Sequence, residues 1–437
     1  MHYKFIITIT ALMVIFIDRS FSQALLTPGQ AVALALRNNF IVQAEKNNAA
    51  IADIGNTAGN AGMLPQVQGS IAGSASVLDN NSKFQPVTSA VQEYRNDTAT
   101  ALNPAVTLTW TLFDGMKMFA ERSRLKRLKE IGDLDYKDTL QTVAAQTITA
   151  YYDIVSAQQQ LAGVEKAISL SQERVKITEK QFQVGTVSKV DYLQAQVDLN
   201  EQKSSLLAEE DIIIQKKITL NGLLARPPET DFLTIDSIPV NYAPPRSGWA
   251  DVQAENFEII AGLKNVEVAR LERRKTLSQF MPTLAFSGGY SLDNEQYSTG
   301  STLLDKTWGW SAGLALSVPL FNGFNNVHAL SIADLNIANS QISLDNTRLL
   351  VRQKYYQAQK DFEKALESLK LEEENIGLAD ENVKIALERF RLAESTSIEM
   401  RTAEVSYVDA LTRLVTARFN AKAAETELMR IQGELVK

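Results

Sequence analysis

The 437-residue sequence has no cysteine and only two histidines. Without thiols there is no disulfide framework, no zinc–thiolate site and no cysteine nucleophile. His328 is the single histidine outside the extreme N-terminus. Basic residues do not dominate: 44 Lys and Arg stand against 51 Asp and Glu, a formal charge of −7. The chain therefore carries no electrostatic footprint for nucleic acid. It has no Gly-rich phosphate loop with its lysine, no HExxH and no paired metal-binding histidines, so no cofactor and no metal are expected. Proline is scarce, eleven in all, and five of these lie in one segment, "ARPPETDFLTIDSIPVNYAPPRSG" (225–248). The one long apolar run is Phe5–Ile17, preceded by Lys4 and followed by Ser20-Phe21-Ser22. Its thirteen residues fall short of the roughly 20 that a membrane helix needs. Residues 1–22 therefore read as a secretory signal, and the protein as exported.

What the sequence does contain, it contains twice. "VTLTWTLFDG" (106–115) returns as "LALSVPLFNG" (314–323), with Phe113/Phe321 and Gly115/Gly323 at an offset of 208. Upstream, "NNFIVQAEKNNAAIADI" aligns with "ENFEIIAGLKNVEVARL" at an offset of 217, pairing Asn39 with Asn256 and Pro65 with Pro282. Downstream the 208 offset continues through Phe182/Phe390 and Leu206/Leu414. The sequence thus predicts a mixed α and β fold built from a duplicated helix–strand–strand–long helix–helix unit. The first copy spans 23–224, with strands near 66–78 and 104–113, a long helix near 116–184 and a return helix near 189–224. The second spans 249–437, with strands near 282–292 and 307–321, a long helix near 324–392 and a return helix near 397–435. The Pro-rich segment joins them.

All four strands alternate. Leu108, Trp110, Leu112, Leu314 and Leu316 fall on one face, and Thr107, Thr109, Thr111, Ser311 and Ser317 on the other. Ten to fourteen residues suits a tilted membrane strand, and Phe113, Trp308, Trp310 and Phe321 stand near the ends as an interfacial girdle requires. Four strands cannot close a barrel, and an open edge in lipid leaves N–H and C=O groups unpaired at several kcal/mol each. Membrane strands here therefore require several chains in one barrel. In the helices, Leu161, Ile168, Val175 and Phe182 repeat every seven residues, as do Leu369, Ile376, Val383 and Phe390, the spacing of a coiled coil. Between Phe113 and Phe182 no proline occurs, room for a helix of roughly 100 Å.

In "ALALRNNFIVQA", "MLPQV", "WTLFDG", "VPLFNG" and "FQVGTVSKVDYLQAQVDL", in this order and duplicated, the mature chain resembles the outer membrane efflux protein family, the TolC-like outer membrane factors. The resemblance implies a homotrimer: a twelve-stranded outer-membrane β-barrel continuous with a periplasmic α-helical coiled-coil barrel. It implies a passive exit duct for a tripartite efflux or type I secretion system, docked to a periplasmic adaptor and an inner-membrane transporter. It places the periplasmic gate at Asp191, Phe390, Ser395, Glu399 and Thr402. It places the adaptor-docking tips at Val184, Gly185, Thr186, Val187 and Ser188, and at Leu392, Ala393 and Glu394. Ala393 stands where the family has glycine and Phe390 where relatives often have Tyr, which removes a hydroxyl link. The bland reading of Asp191 and Glu399 is that of acids favoured in a helix's first turn.

Two competitors are weighed against this. "GWSAG" (309–313) matches a nucleophile elbow, but alternation runs unbroken through Ser311 and no acid lies between it and His328. The other is an exported coiled-coil structural or adhesive protein without a pore, whose strands pair in water.

Overall fold

The computed structural model describes residues 25–82, 92–243, 248–299 and 302–436. The signal segment 1–22, part of the first inter-strand loop and part of the Pro-rich segment lie outside them. The chain divides into two units. One holds residues up to Asn39, Gln146–Tyr242 and Glu363–Glu425; the other holds Phe40–Ala145, Ala243–Phe362 and residues from Thr426 onward.

The leading helix of the first copy is broken in two. Helix α1 spans Pro28–Asn38 and α2 spans Phe40–Gly55. Pro28 starts α1, where its missing N–H is no loss. Thr27 and Gln30 close a capping box, with Gln30 N donating to Thr27 Oγ1 at 3.3 Å and Thr27 N donating to Gln30 Oε1 at 3.0 Å. The sequence predicts one continuous helix here. Asn39 leaves helical geometry (φ −58°, ψ 130°), and its side-chain amide donates to Leu223 O at 3.0 Å. The second copy repeats the break. Helix α5 (Trp249–Glu255) is separated from α6 (Phe257–Leu277) by Asn256, at φ −66° and ψ 125°. Asn256 Nδ2 donates to Ile431 O at 3.2 Å, while its Oδ1 caps α6 through Ile259 N. The repeated asparagine is thus a buried pin to the end of the returning helix.

The sheet consists of β1 (Gln66–Ser82), β2 (Gln92–Asp114), β3 (Thr283–Tyr297) and β4 (Leu304–Ser317), all antiparallel in the order β1-β2-β3-β4. Strand β2 begins twelve residues before the predicted start, because Gln92–Asn103 is held by ladders to β1 and β3 rather than by any alternation of its own. Strand β4 ends at Ser317; the predicted strand runs on to 321, and Pro319 removes the donor a ladder would need.

After each sheet pair comes a 67-residue helix, α3 (Lys117–Gln183) and α7 (Asn325–Arg391). The returning helices are α4 (Lys189–Leu223) and α8 (Ser397–Gln432). The repeated Phe-Asp/Asn-Gly is the machinery of the strand-to-helix corner. Gly115 and Gly323 both sit at φ 68°, and the next residues, Met116 and Phe324, are also left-handed. Asp114 caps α3, both carboxylate oxygens accepting from Met118 N at 3.0 and 3.1 Å. Asn322 accepts more weakly from Asn326 N at 3.5 Å.

The described part of the Pro-rich segment, residues 225–243, packs against the helices. Leu26 N donates to Leu233 O, and the buried Tyr151 hydroxyl donates to Leu26 O at 2.6 Å and accepts from Ile235 N at 2.9 Å. Phe232 is buried beneath the Arg226 guanidinium, 4.5 Å from its ring.

Candidate functional site

Register sorts the sheet into two unlike faces. Thr107 lies opposite Gly289, which lies opposite Ser311; Thr109, Ser287 and Gly313 form the next row. With Gln66 and Gln68 of β1 opposite Thr109 and Thr107, one face is small and polar across all four strands. The other carries Val67, Leu108, Trp110, Phe286, Tyr290, Trp310, Leu314 and Leu316, largely exposed. Leu112 falls at the register shift between Thr111 and Phe113. Ser311 sits inside an unbroken strand, which removes the sharp turn that a nucleophile elbow requires. Strands β1 and β4 each have a neighbour on one side only.

The tips are two helical hairpins. At the first, Gly185 N donates to Phe182 O and Thr186 N to Gln181 O, the paired bonds of a Schellman ending, with Gly185 left-handed at φ 79°. At the second, Ala393 N donates to Phe390 O and Glu394 N to Arg389 O, and Ala393 holds φ 58°. Each returning helix then starts with reciprocal side-chain bonds. Asp191 Oδ2 accepts from Ser188 N at 3.1 Å and from Ser188 Oγ at 2.7 Å, while Asp191 N donates to Ser188 Oγ. Glu399 Oε2 accepts from Thr396 N at 3.3 Å, and Glu399 N donates to Thr396 Oγ1 at 3.2 Å. The hydrogen bonds of Asp191 are therefore internal to its own hairpin, as a capping acid's are.

Other side chains join the hairpins. Gln181 Nε2 donates to Phe390 O at 3.5 Å. Arg391 Nε donates to Glu173 at 3.1 Å, and its guanidinium also reaches Glu388. Phe390, expected for its missing hydroxyl, is 1% exposed and packs with Leu170, Val383, Met400 and Ala403. It is a core residue at the neck of the hairpins. In the first copy Phe182 is exposed and stacks on Tyr192, with centroids 6.0 Å apart. Thr402 Oγ1 donates back to Ile398 O. Ser395 Oγ is buried without a hydrogen-bond partner. Val184, Val190, Leu392 and Ile398 are exposed around the two tips.

Sequence reasoning missed a buried cluster behind the tips. Arg174 on α3 pairs with Asp198 on α4 and Glu404 on α8. The 208-residue offset would have marked it: the counterparts of Arg174, Asp198 and Glu404 are Asn382, Ser406 and Gln196, so the repeat breaks at all three. Among the described residues no group of acidic or histidine side chains could hold a metal ion, and no helix is long and apolar enough to cross a membrane.

A sheet with one small polar face and one apolar face, feeding paired 67-residue helices, is the build of a channel protein. The chain belongs to the outer membrane efflux protein family, whose profile matches residues 31–226 and 250–434. It is 28% identical over 342 residues to Protein CyaE of Bordetella pertussis, covering 76% of this chain and 70% of that one. It is 25% identical over 229 residues to the alkaline protease secretion protein AprF of Pseudomonas aeruginosa, covering 49% of this chain and 46% of AprF. In fold it is similar to the CmeC outer membrane channel of Campylobacter jejuni, with a TM-score of 0.77 at 16% identity over 93% of this chain and 85% of CmeC. The protein is an outer-membrane efflux or secretion duct. Family membership sets aside the reading as a coiled-coil adhesin.

Proposed function

We propose that three copies of the chain form one duct. The observation that carries this is the pair of open edges: among the described residues β1 and β4 each have a neighbour on one side only, in a sheet whose apolar face fits lipid. Three chains pair every edge and give twelve strands, with Thr107, Thr109, Thr111, Ser311 and Ser317 lining the lumen. The helices support the same assembly. On α7, Leu335, Ile342, Leu349 and Tyr356, then Leu371, Leu378, Ile385 and Leu392, form an exposed line at heptad spacing. It runs beside the buried line of Leu344, Val351, Leu369, Val383 and Phe390. An exposed heptad line on an already packed helix calls for a further helix. The exposed Val190, Val197, Leu207 and Ile214 of α4 supply one from a neighbouring copy.

In this assembly the hairpin tips form the periplasmic gate. Glu399 from three copies rings the opening, with Thr402 one turn behind and Ser395 and Phe390 holding the neck. The tip residues Val184 to Ser188, all exposed but the half-buried Val187, and Leu392 to Glu394 receive a periplasmic adaptor, which couples the duct to an inner-membrane transporter. The conduit is passive, so selection of cargo belongs to the transporter. Reconstitution in planar bilayers tests this: the purified protein should give discrete openings from a mostly closed state. Folded, inserted protein that never conducts, with or without its adaptor, would refute the duct.

A further inference from the structure

The bonds at the tips leave one cluster of the same unit unexplained. Arg174 is an enclosed cation, its side chain 2% exposed, and Asp198 and Glu404 are 5% and 6% exposed. Arg174 Nη1 donates to Asp198 Oδ2 at 2.8 Å. Gln194 Nε2 donates to Asp198 Oδ1 at 2.8 Å, and Arg401 approaches Oδ2 at 3.4 Å. Both oxygens of Asp198 are thus engaged. Glu404 is held less completely: Arg174 Nε lies 3.2 Å from Oε2 without making a hydrogen bond, and Oε1 has no hydrogen-bond partner.

A buried carboxylate with an idle oxygen is costly, and a neutral carboxyl in the same place much less so. Burial pushes the Glu404 carboxyl up to about 7; Asp198 adds to the rise, while Arg174, Arg401 and a Ser171 hydrogen bond oppose it. Beside the cluster lies a cavity of about 240 Å³ that Glu201 and Asp409 also line. The groups facing Glu404 are therefore Arg174 and Ser171 from α3, Asp198 and Glu201 from α4, and Arg401 and Asp409 from α8. Helix α7 meets this region with apolar Val383, Leu387 and Phe390, and its Asp380 and Lys384 act on Tyr407 instead.

We propose that Arg174, Asp198 and Glu404 form a proton-sensitive clasp between hairpin α3–α4 and helix α8, closed most tightly when Glu404 is protonated. The proposal rests on the reading of the tips as a gate. Opening parts α8 from α3 and α4, lets water reach Glu404, and returns its carboxyl to the ordinary range near 4.5. The closed form then binds the proton more tightly than the open one. Its advantage is complete below about 4.5 and is lost as pH rises through the window up to about 7. Ionisation sends the proton to solvent and leaves two carboxylates beside one enclosed guanidinium. Because the repeat breaks at all three residues, each chain carries one clasp. An acidic periplasm would hold the idle duct shut, and a neutral or alkaline one would ease its opening.

The absence of native cysteine makes the test clean. Spin labels at Lys203→Cys on α4 and Ser406→Cys on α8, both exposed, report the separation of the two helices in the detergent-purified full chain. The distance distribution should be narrow at about pH 5.5 and broaden at about pH 8.5, the closed-to-open ratio falling roughly tenfold or more. Glu404→Gln, which keeps the shape but cannot ionise, should stay narrow at both. An unchanged wild-type distribution, or a pH response that survives in Glu404→Gln, overturns the clasp. If the labels respond as expected but resting conductance in bilayers is the same at both pH values, the clasp stands and the gate reading of the tips fails.

Discussion

Gly185 and Ala393 occupy the same position in the two hairpins, with φ of 79° and 58°. Each ends a 67-residue helix and turns the chain back through the same pair of backbone bonds. Only the glycine is free of the Cβ clash that the left-handed region imposes. Ala393→Gly should therefore stabilise the second hairpin by about 0.5–1 kcal/mol, and Gly185→Ala should destabilise the first by about 1 kcal/mol. Thermal unfolding of the purified variants checks both signs. A destabilised Ala393→Gly would mean that the alanine methyl makes a contact worth more than the strain.

The two corner glycines share φ 68° but not their surroundings. A Cβ on Gly115 would lie 2.7 Å from Ser278 O and 2.7 Å from Met281 Cβ, whereas one on Gly323 meets nothing within 4 Å. Gly323→Ala should cost about 1 kcal/mol, the backbone strain alone. Gly115→Ala should cost about 3 kcal/mol or more, because backbone must move as well. Denaturant unfolding of the two variants side by side decides it, and equal losses would contradict the asymmetry.

Leu314 and Ser311 lie on opposite faces of β4, toward lipid and lumen in the proposed barrel. Leu314→Arg should cost roughly 2–4 kcal/mol at the bilayer midplane and reduce the assembled protein recovered from outer membranes. Ser311→Arg should assemble normally and alter conductance. Equal assembly defects from both would show the faces to be misassigned.

Much of this architecture is legible in the sequence because it depends on local pattern. Alternation marks the strand faces, and the Phe-Asp/Asn-Gly endings mark corners where a left-handed glycine and a helix cap are both required. What escapes is what only pairing in three dimensions decides. Gln92–Asn103 carries polar and charged residues at both parities and becomes a strand through its neighbours' ladders. The break at Asn39 has neither proline nor glycine to announce it. The heptad line Leu161, Ile168 and Val175 stays half exposed within one chain, while Ala167 and Arg174 turn inward. Arg174 and Glu404 meet across 230 positions, so their ion pair leaves no local trace.

Glu399 has two tasks that one substitution separates. Its carboxylate accepts from Thr396 N at the start of α8, and three copies would focus negative potential at the gate. Glu399→Gln keeps an acceptor oxygen and removes the charge. It should leave thermal stability within about 0.5 kcal/mol while reducing cation selectivity and any block by divalent cations. Single-channel reversal potentials measure this, and unchanged selectivity would place the charged ring elsewhere. Asp191→Ala removes a cap instead, and should cost about 1 kcal/mol without changing selectivity.

The central claim is that four strands per chain close a barrel only as three chains. Native mass spectrometry of protein extracted from outer membranes in mild detergent tests it most directly. The account predicts a homotrimer that persists until the detergent is exchanged for a denaturing one. A stable monomer that keeps its β-sheet signal by circular dichroism would contradict it, since β1 and β4 would then survive in detergent with their edges unpaired.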